Sequence, residues 1–372
     1  MSKVSMVALV LLSSVLLGAA PGDWEGQVKA MSGAVQVKPF GAAWHDAAAG
    51  DSLWAGDRLR TGAGGTAVVA LPDGSELEVA GGTLFEFNDR RLGDGGGSIA
   101  LFLGRLWAKV QKAAGKGSAF SVHTATSVAG VRGTAFLAGL GDDGATAIAV
   151  KEGAVSVQGE GGRVDLGAGE YTEALHGAAP KPAVKGELGW EAWAEGRRKA
   201  LAEDPKGPMA AALGKIRAQE KALEAAFERF KALERETAVL IDKARLARAG
   251  KQKDAYQTIA EQVEQNFAQL TRAAGEIQAA RNTLTTNATA MRHAWHAVAA
   301  MKDLPPAVKA DLRGLVADLK AERPRLQRLR AEFKTELRQK MGEAHKAYRE
   351  FREYKGVKEK AKSKRKAKRE RE

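Results

Sequence analysis

The run TSVAGVRGTAF, residues 126–136, sets Arg132 between Val131 and Gly133 in a stretch otherwise made of small and apolar residues that reads as a strand. A guanidinium there has two uses. It can bind a ligand or serve a reaction, or its five-donor fork can tie closely packed segments together through carbonyls or a carboxylate. The flanking Gly130 and Gly133 favour the second use, because glycine permits close backbone approach or a positive φ where a Cβ would clash. Asp57, Asp73 and Glu152 are the candidate partners, with Asp73 also claimed by its own turn. If such a pair is buried, removing one member costs about 3 to 5 kcal/mol.

Other chemistry is sparse. Six histidines occur, and only His293 and His296 have a ligand-like spacing. A lone pair without cysteines or well-placed carboxylates is a weak metal signal, so solvated or seam-edge positions are expected. The absence of cysteine excludes disulfides, thiolate nucleophiles, Cys-ligated metals and a lipoprotein anchor. The glycine run GDGGG, residues 93–97, lies between strand-like runs and not at a strand-to-helix turn, so it fails the context of a phosphate loop. No Ser, His and Asp set comes with a nucleophile elbow. No catalytic residue, cofactor or metal is expected, and the chain reads as a non-enzyme.

The elements that carry these residues fall into two halves. From Gly26 to about Leu175, short alternating runs such as TAVVAL, ELEV, LFEF, RLWAKV, TAIAV and AVSVQ are separated by glycine-rich turns at intervals of roughly 8 to 12 residues. That spacing predicts an all-β module, a sandwich or a β-solenoid, with the corner glycines leaning towards the solenoid. A Pro, Gly and Ala-rich linker follows at 176–189. Beyond it, three long segments carry apolar residues at three-and-four spacing. The middle one runs through Tyr256, Val263, Phe267, Leu270, Ile277, Arg281, Leu284, Met291 and Val298. Short breaks around Gly250 and Pro305 can turn the chain back on itself, which predicts an antiparallel three-helix coiled coil with a kink at Pro324. A shorter helix carrying Trp190 and Trp193 is placed to dock the helices onto the β module. The fold class is therefore α+β in separate domains. The expected divisions are 1–20 signal peptide, 23–175 β domain, 176–205 linker and short helix, 206–352 coiled coil and 353–372 basic tail.

An ordered set of motifs in the β half resembles the periplasmic domain of the FecR family, named for an iron-citrate regulator that relays a surface signal to a sigma factor. GDRLRTGAGGTAVVALPDGSELEV looks like the family's opening signature and contains Gly56, Asp57, Thr61, Gly62, Asp73, Gly74 and Ser75. LGRLWAKV, with Gly104, resembles its middle strand. FSVHTATSVAGVRGTAF resembles its core signature, with Val131, Arg132, Gly133 and Thr134. TAIAVKEGAVSV is similar to its closing hairpin, with Glu152 and Gly153. Ala135 and Thr66 depart from the family's usual carboxylate and serine. The resemblance spans about 150 residues and implies that these are structural motif residues.

Charge is divided unevenly. The chain carries 58 Lys and Arg against 45 Asp and Glu, a formal net charge of +13, yet residues 23–175 hold 13 basic and 18 acidic side chains. The positive excess therefore lies elsewhere, much of it in KGVKEKAKSKRKAKRERE at the end. Within that run Lys362, Lys364, Arg365, Lys366, Lys368 and Arg369 are candidate contacts for a polyanion. Lys3, the apolar run Val4–Leu17 and the small residues after it have the architecture of a cleaved secretory signal, ending at Ala19 or Gly22. Export would place the protein in the periplasm or outside the cell, with no membrane span after cleavage. The polyanion would then be an envelope polymer or lipid, and nucleic acid is disfavoured because no aromatics interleave the tail. Only three residues precede the apolar run, so the anti-sigma segment and relay mechanism of the family's regulator are not expected. The sequence points to a non-catalytic secreted envelope binding or scaffold protein, with self-association through the coiled coil left open. The alternative is a periplasmic sensory component that relays a signal to a separate membrane or sigma-factor regulator.

Overall fold

The computed structural model describes residues 25–89, 96–112, 120–301, 304–332, 336–337 and 339–352. In chain order the elements are β1 (Gly26–Ser32), β2 (Val35–Lys38), β3 (His45–Asp46), β4 (Ser52–Leu53), β5 (Arg58–Thr61), β6 (Thr66–Ala70), β7 (Glu76–Val79), β8 (Leu84–Phe87), β9 (Gly97–Leu103), β10 (Arg105–Lys109), β11 (Phe120–His123), β12 (Ser127–Val131), β13 (Ala135–Leu140), β14 (Thr146–Glu152), β15 (Ala154–Gly159), β16 (Gly162–Gly167), β17 (Glu170–Ala174) and β18 (Val184–Lys185), followed by α1 (Trp190–Glu203), α2 (Gly207–Ala249), α3 (Lys253–Ala299) and α4 (Pro306–Glu332).

Among the described residues the strands form two nine-stranded sheets. One has the order β18-β17-β14-β13-β10-β7-β6-β1-β4 and the other β16-β15-β12-β11-β9-β8-β5-β2-β3. From β5 onward the chain mostly lays down hairpins on alternate sheets, so each sheet grows as the chain proceeds. The ladders are antiparallel except for β9 and β11, which run parallel because the chain between them detours through β10 in the opposite sheet. Strand alternation turns Leu59, Val69, Leu77, Phe85, Ile99, Leu106, Val122, Phe136 and Val157 inward, and residues from both sheets make one apolar core. Of the two forms that the sequence left open, the molecule has two stacked sheets, with no closed barrel.

The corners between hairpins repeat one device. The Thr61 hydroxyl donates to the Ala80 carbonyl at 2.6 Å and accepts from the Thr83 amide at 2.9 Å. Thr83 does the same with Arg105, donating to its carbonyl at 2.9 Å and accepting from its amide at 3.1 Å. Thr134 repeats the pattern on Ala154, at 2.8 and 3.3 Å. One hydroxyl thus bonds both a carbonyl and an amide across a tight corner. At the last of these corners Gly153 has φ +86°, and a Cβ there would stand 2.6 Å from the Gly133 carbonyl oxygen, so only glycine fits against Thr134.

α2 and α3 pack antiparallel after a break at residues 250–252, where Lys251 takes φ +58°. Their shared seam includes Leu213, Ile216, Leu223, Phe227, Phe230, Leu270, Ala274, Ile277, Leu284 and Met291, and Leu312, Leu326 and Leu329 of α4 join the same core. α4 continues through Pro324 to Glu332, and residues 339–352 are again helical. No described helix is long and apolar enough to cross a membrane.

Candidate functional site

The motif residues of the β module serve its backbone. Asp57 is buried and accepts from the Phe40 amide at 2.7 Å and the Trp54 amide at 2.8 Å, which closes the loop before β5. Asp73 accepts from the Ser75 amide at 2.9 Å within the β6–β7 turn, and the buried Ser75 hydroxyl accepts from the Gln111 amide at 2.9 Å. Gly56, Gly74, Gly104, Gly133 and Gly153 all have positive φ, whereas Gly62 does not and accepts at its carbonyl from the Gly65 and Gly82 amides. Val131 lies in the core, and Glu152 is exposed.

Arg132 departs from its expected setting. The run that reads as one strand is two, β12 and β13, and Arg132 sits with Gly133 and Thr134 at the corner where the chain passes from one sheet to the other. Its side chain is exposed, so the cost expected of a buried pair does not apply to it. The six tail residues Lys362, Lys364, Arg365, Lys366, Lys368 and Arg369 lie outside the described residues, as do the signal region and most of the GDGGG run.

The densest polar chemistry occurs instead where the helices meet the β module. β8 and β9 are buried on both faces: Phe85, Phe87, Ile99 and Leu101 point to the core, and Glu86, Ala100 and Phe102 point out beneath α3. Glu86 is only 1% exposed and is held between two arginines, with Arg58 Nε at 2.7 Å and Arg281 Nη2 of α3 at 2.5 Å. Burial alone would raise its carboxyl pKa, but the guanidinium charges of Arg281 and then Arg58 outweigh that and hold it below the usual value. The Arg58 guanidinium also lies 5.1 Å from the Phe102 ring centroid.

One turn back, the Gln278 side chain makes a reciprocal pair with the backbone of Asp89, accepting from its amide at 3.1 Å and donating to its carbonyl at 3.2 Å. Further along α3, Thr286 and Asn287 donate to the carbonyls of Thr124 and Ala125, each at 3.2 Å. Those carbonyls belong to the β11–β12 turn, which is braced by buried hydroxyl contacts among Thr124, Thr126 and Thr146 at 2.6 and 2.7 Å. His293 Nε2 donates to Asp142 at 3.1 Å, and His296 is exposed. The His293 hydrogen bond, and after it Arg198, keep the Asp142 carboxyl below its ordinary pKa against the opposing effect of burial. Among the described residues no cluster of His, Asp and Glu could hold a metal ion.

α1 and α2 extend the attachment. Trp190 lies on the backbone of Gly139, where a Cβ would be 2.2 Å from its ring, with Arg105 5.2 Å from the ring centroid. Arg197 makes a two-bonded contact with the buried Asp143 at 2.9 and 2.6 Å, and Lys215 of α2 reaches Glu160 at 3.0 Å. His123 and His176 are both held neutral by burial, which lowers each pKa to about 4.

Sequence reasoning assigned Arg281 to the coiled-coil seam, and the structure turns it to Glu86. A signal was available. From Ile277 to Ala300 only Arg281 and Arg292 are charged apart from two histidines, and Asn282, Thr285, Thr286 and Asn287 are all buried. A helix with so little charge around its circumference is covered on more than one side.

Residues 57–156 match the family model described as FecR protein. No curated protein matches the chain. Among solved structures, two crystal structures described as a "putative anti-sigma factor" from Parabacteroides distasonis are similar over 35% and 37% of this chain and 60% and 65% of theirs, at 20% and 21% identity, each with a TM-score of 0.31. The chain thus spans less than two thirds of those structures' length.

Proposed function

The chain carries a FecR domain at residues 57–156, and on that premise we propose that it is a non-catalytic sensory component that relays a signal to a separate membrane or sigma-factor regulator. The family's relay role supports this reading over that of a plain scaffold. The observation that carries it is the junction. The matched stretch contains Glu86, Thr124 and Asp142, three of the groups through which the β module holds its own helices. Contacts between domains that rest on ion pairs and hydrogen bonds resemble those of exchangeable protein complexes more than those of a permanent core. A partner of matching polarity can compete for the same surface, and helix release is the signal the module would pass on.

The proposed location is the periplasm or the cell exterior, supported by Lys3 and the apolar run Val4–Leu17. The basic run ending the sequence supports a scaffold reading alongside, as an electrostatic contact with an anionic envelope surface. Transcript profiling separates the two. Deleting the gene and restoring it is expected to switch a small, discrete set of transcripts off or on. An unchanged transcript profile, with salt-sensitive loss of membrane association on removal of the last 18 residues, would overturn the relay and favour the scaffold.

A further inference from the structure

An open sheet ends in strands whose outward N–H and C=O groups invite another strand, and proteins keep such edges short, charged, bulged or covered. Three of the four edges here are short: β3, β4 and β18 are two residues long. The fourth, β16, runs for six residues, Gly162–Gly167, with no proline, no lysine and no bulge in its register with β15. Among the described residues no strand lies beyond it.

Register decides which backbone groups face outward. β15 and β16 are joined by the two-residue turn Glu160-Gly161, with Gly159 opposite Gly162. In a hairpin of that length the residues flanking the turn exchange both of their bonds, and the exchange repeats at every second pair, here Val157 with Val164 and Val155 with Leu166. The N–H and C=O groups of Arg163, Asp165 and Gly167 therefore point away from β15. Gly167 agrees with this, since its amide donates to the Glu170 carboxylate at 2.8 Å. The main-chain groups of Arg163 and Asp165 have no backbone partner on that side among the described residues.

The side chains of this edge are complementary to themselves. Arg163 and Asp165 project from the outer face, 59% and 66% exposed, and within one chain they pair along the same strand at 2.9 Å. A lysine on an edge repels a second copy of itself. An arginine and an aspartate that flank one residue do the reverse, because an antiparallel copy centred on that residue sets each charge opposite its counter-charge. Centring on Val164 places Arg163 opposite the partner's Asp165 and Asp165 opposite the partner's Arg163. These are the two positions with outward main-chain groups, so each pair exchanges both ladder bonds as well as matching charge. Val164, which packs at the margin of the apolar core, then faces the partner's Val164 at the close, non-hydrogen-bonded position. A shift of one residue in either direction loses both the charge pairing and the bonds.

We propose that β16 is a self-pairing edge, through which two copies of this chain join antiparallel about a two-fold axis at Val164, so that their nine-stranded sheets run on as one. The pairing rests on the length, register and charge of this strand and not on the relay reading. It also places self-association in the β module and leaves the helices free of it.

Sedimentation velocity of the full chain, from micromolar to several hundred micromolar, tests the pairing. Wild type is expected to pass from monomer to dimer across that range, because one short ladder is a small interface. Arg163→Asp and Asp165→Arg each set like charges opposite one another and are expected to weaken dimerisation at least tenfold with unchanged melting, since both side chains are exposed. An equimolar mixture of the two variants is expected to restore the dimer, because an acidic edge then meets a basic one. The axis is read separately. The chain has no cysteine, so Val164→Cys supplies a single thiol and is expected to give a disulfide-linked dimer on mild oxidation, which adding Asp165→Arg suppresses. A monomer throughout the range, a mixture no more dimeric than its parts, or a dimer in which Val164→Cys does not cross-link would each overturn the proposal. So would a dimer that both charge variants leave intact, the result expected if the copies meet through their helices instead.

Discussion

The two sides of α3 are built by opposite rules. Towards α2 it presents Ala274, Ile277, Leu284 and Met291, an apolar stripe that interlocks with Phe227 and Phe230. Towards the β module it presents Gln278, Arg281, Thr286 and Asn287, each with a named polar partner on the other side. An apolar seam supplies stability in proportion to the area removed from water and tolerates some sliding. Directional bonds to particular carbonyls and one buried carboxylate tolerate almost none, and a charge left without its partner is expensive. The same helix therefore draws bulk stability from one side and a fixed position from the other.

The seam should show the largest single effect. Phe230 is fully buried, and Phe230→Ala is expected to cost about 4 kcal/mol in chemical denaturation, through lost burial and the cavity left behind. A loss below about 1 kcal/mol would mean that the helices do not depend on this seam.

On the polar side, Arg197→Ala strands the buried Asp143 carboxylate and is expected to cost about 3 kcal/mol. If the same assay finds Arg197→Ala neutral, α1 is not held in place by that pair.

Acidification should act on the junction before it acts on the seam. His123 and His176 have folded pKa values near 4, below the unfolded value of about 6.5, so the unfolded chain takes up protons first as pH falls. Their contribution is intact above pH 6.5 and is lost on the way down to 4, by up to about 3 kcal/mol apiece. The lowered carboxyls of Glu86, Asp142 and Glu160 contribute stability above the usual carboxylate range and lose it only below about pH 4. Melting temperatures measured from pH 7.5 down to about 3 are expected to fall in that order, and a flat profile between 6.5 and 4.5 would contradict the burial of the two histidines.

The smallest effect belongs to the residue with the most suggestive sequence. Arg132→Ala is expected to change stability by less than about 1 kcal/mol because the side chain is exposed. A shift of 3 kcal/mol in thermal denaturation would restore the tying role that its neighbours suggest.

Much of the architecture was legible because it obeys short-range periodicity. Alternating runs such as TAVVAL, ELEV and TAIAV became β6, β7 and β14, and the breaks near Gly250 and Pro305 separate α2, α3 and α4. The two-residue strands β3 and β4 were not legible, since two residues carry no alternation. Nor was the corner at Arg132, where the strand-like composition continues across a change of sheet. The junction was hidden for a different reason. Glu86 in LFEF reads as the solvent face of a half-buried strand, and Arg281 reads as an irregular seam position. Only the fold, which brings together positions nearly 200 residues apart, makes them partners. The threonine corners were half visible: Thr61 and Thr134 stood within recognisable motifs, but the hydroxyl's double bond to the next hairpin needs coordinates to be seen.

The most direct test of the junction is a double-mutant cycle between Glu86 and Arg281, with Glu86→Gln, Arg281→Gln and the pair together, followed by chemical denaturation of the full chain. Coupling of about 2 kcal/mol or more is predicted for a buried, directly paired carboxylate and guanidinium. Additivity within about 0.3 kcal/mol would mean that the two side chains do not meet and that α3 is not docked on the β module in this way.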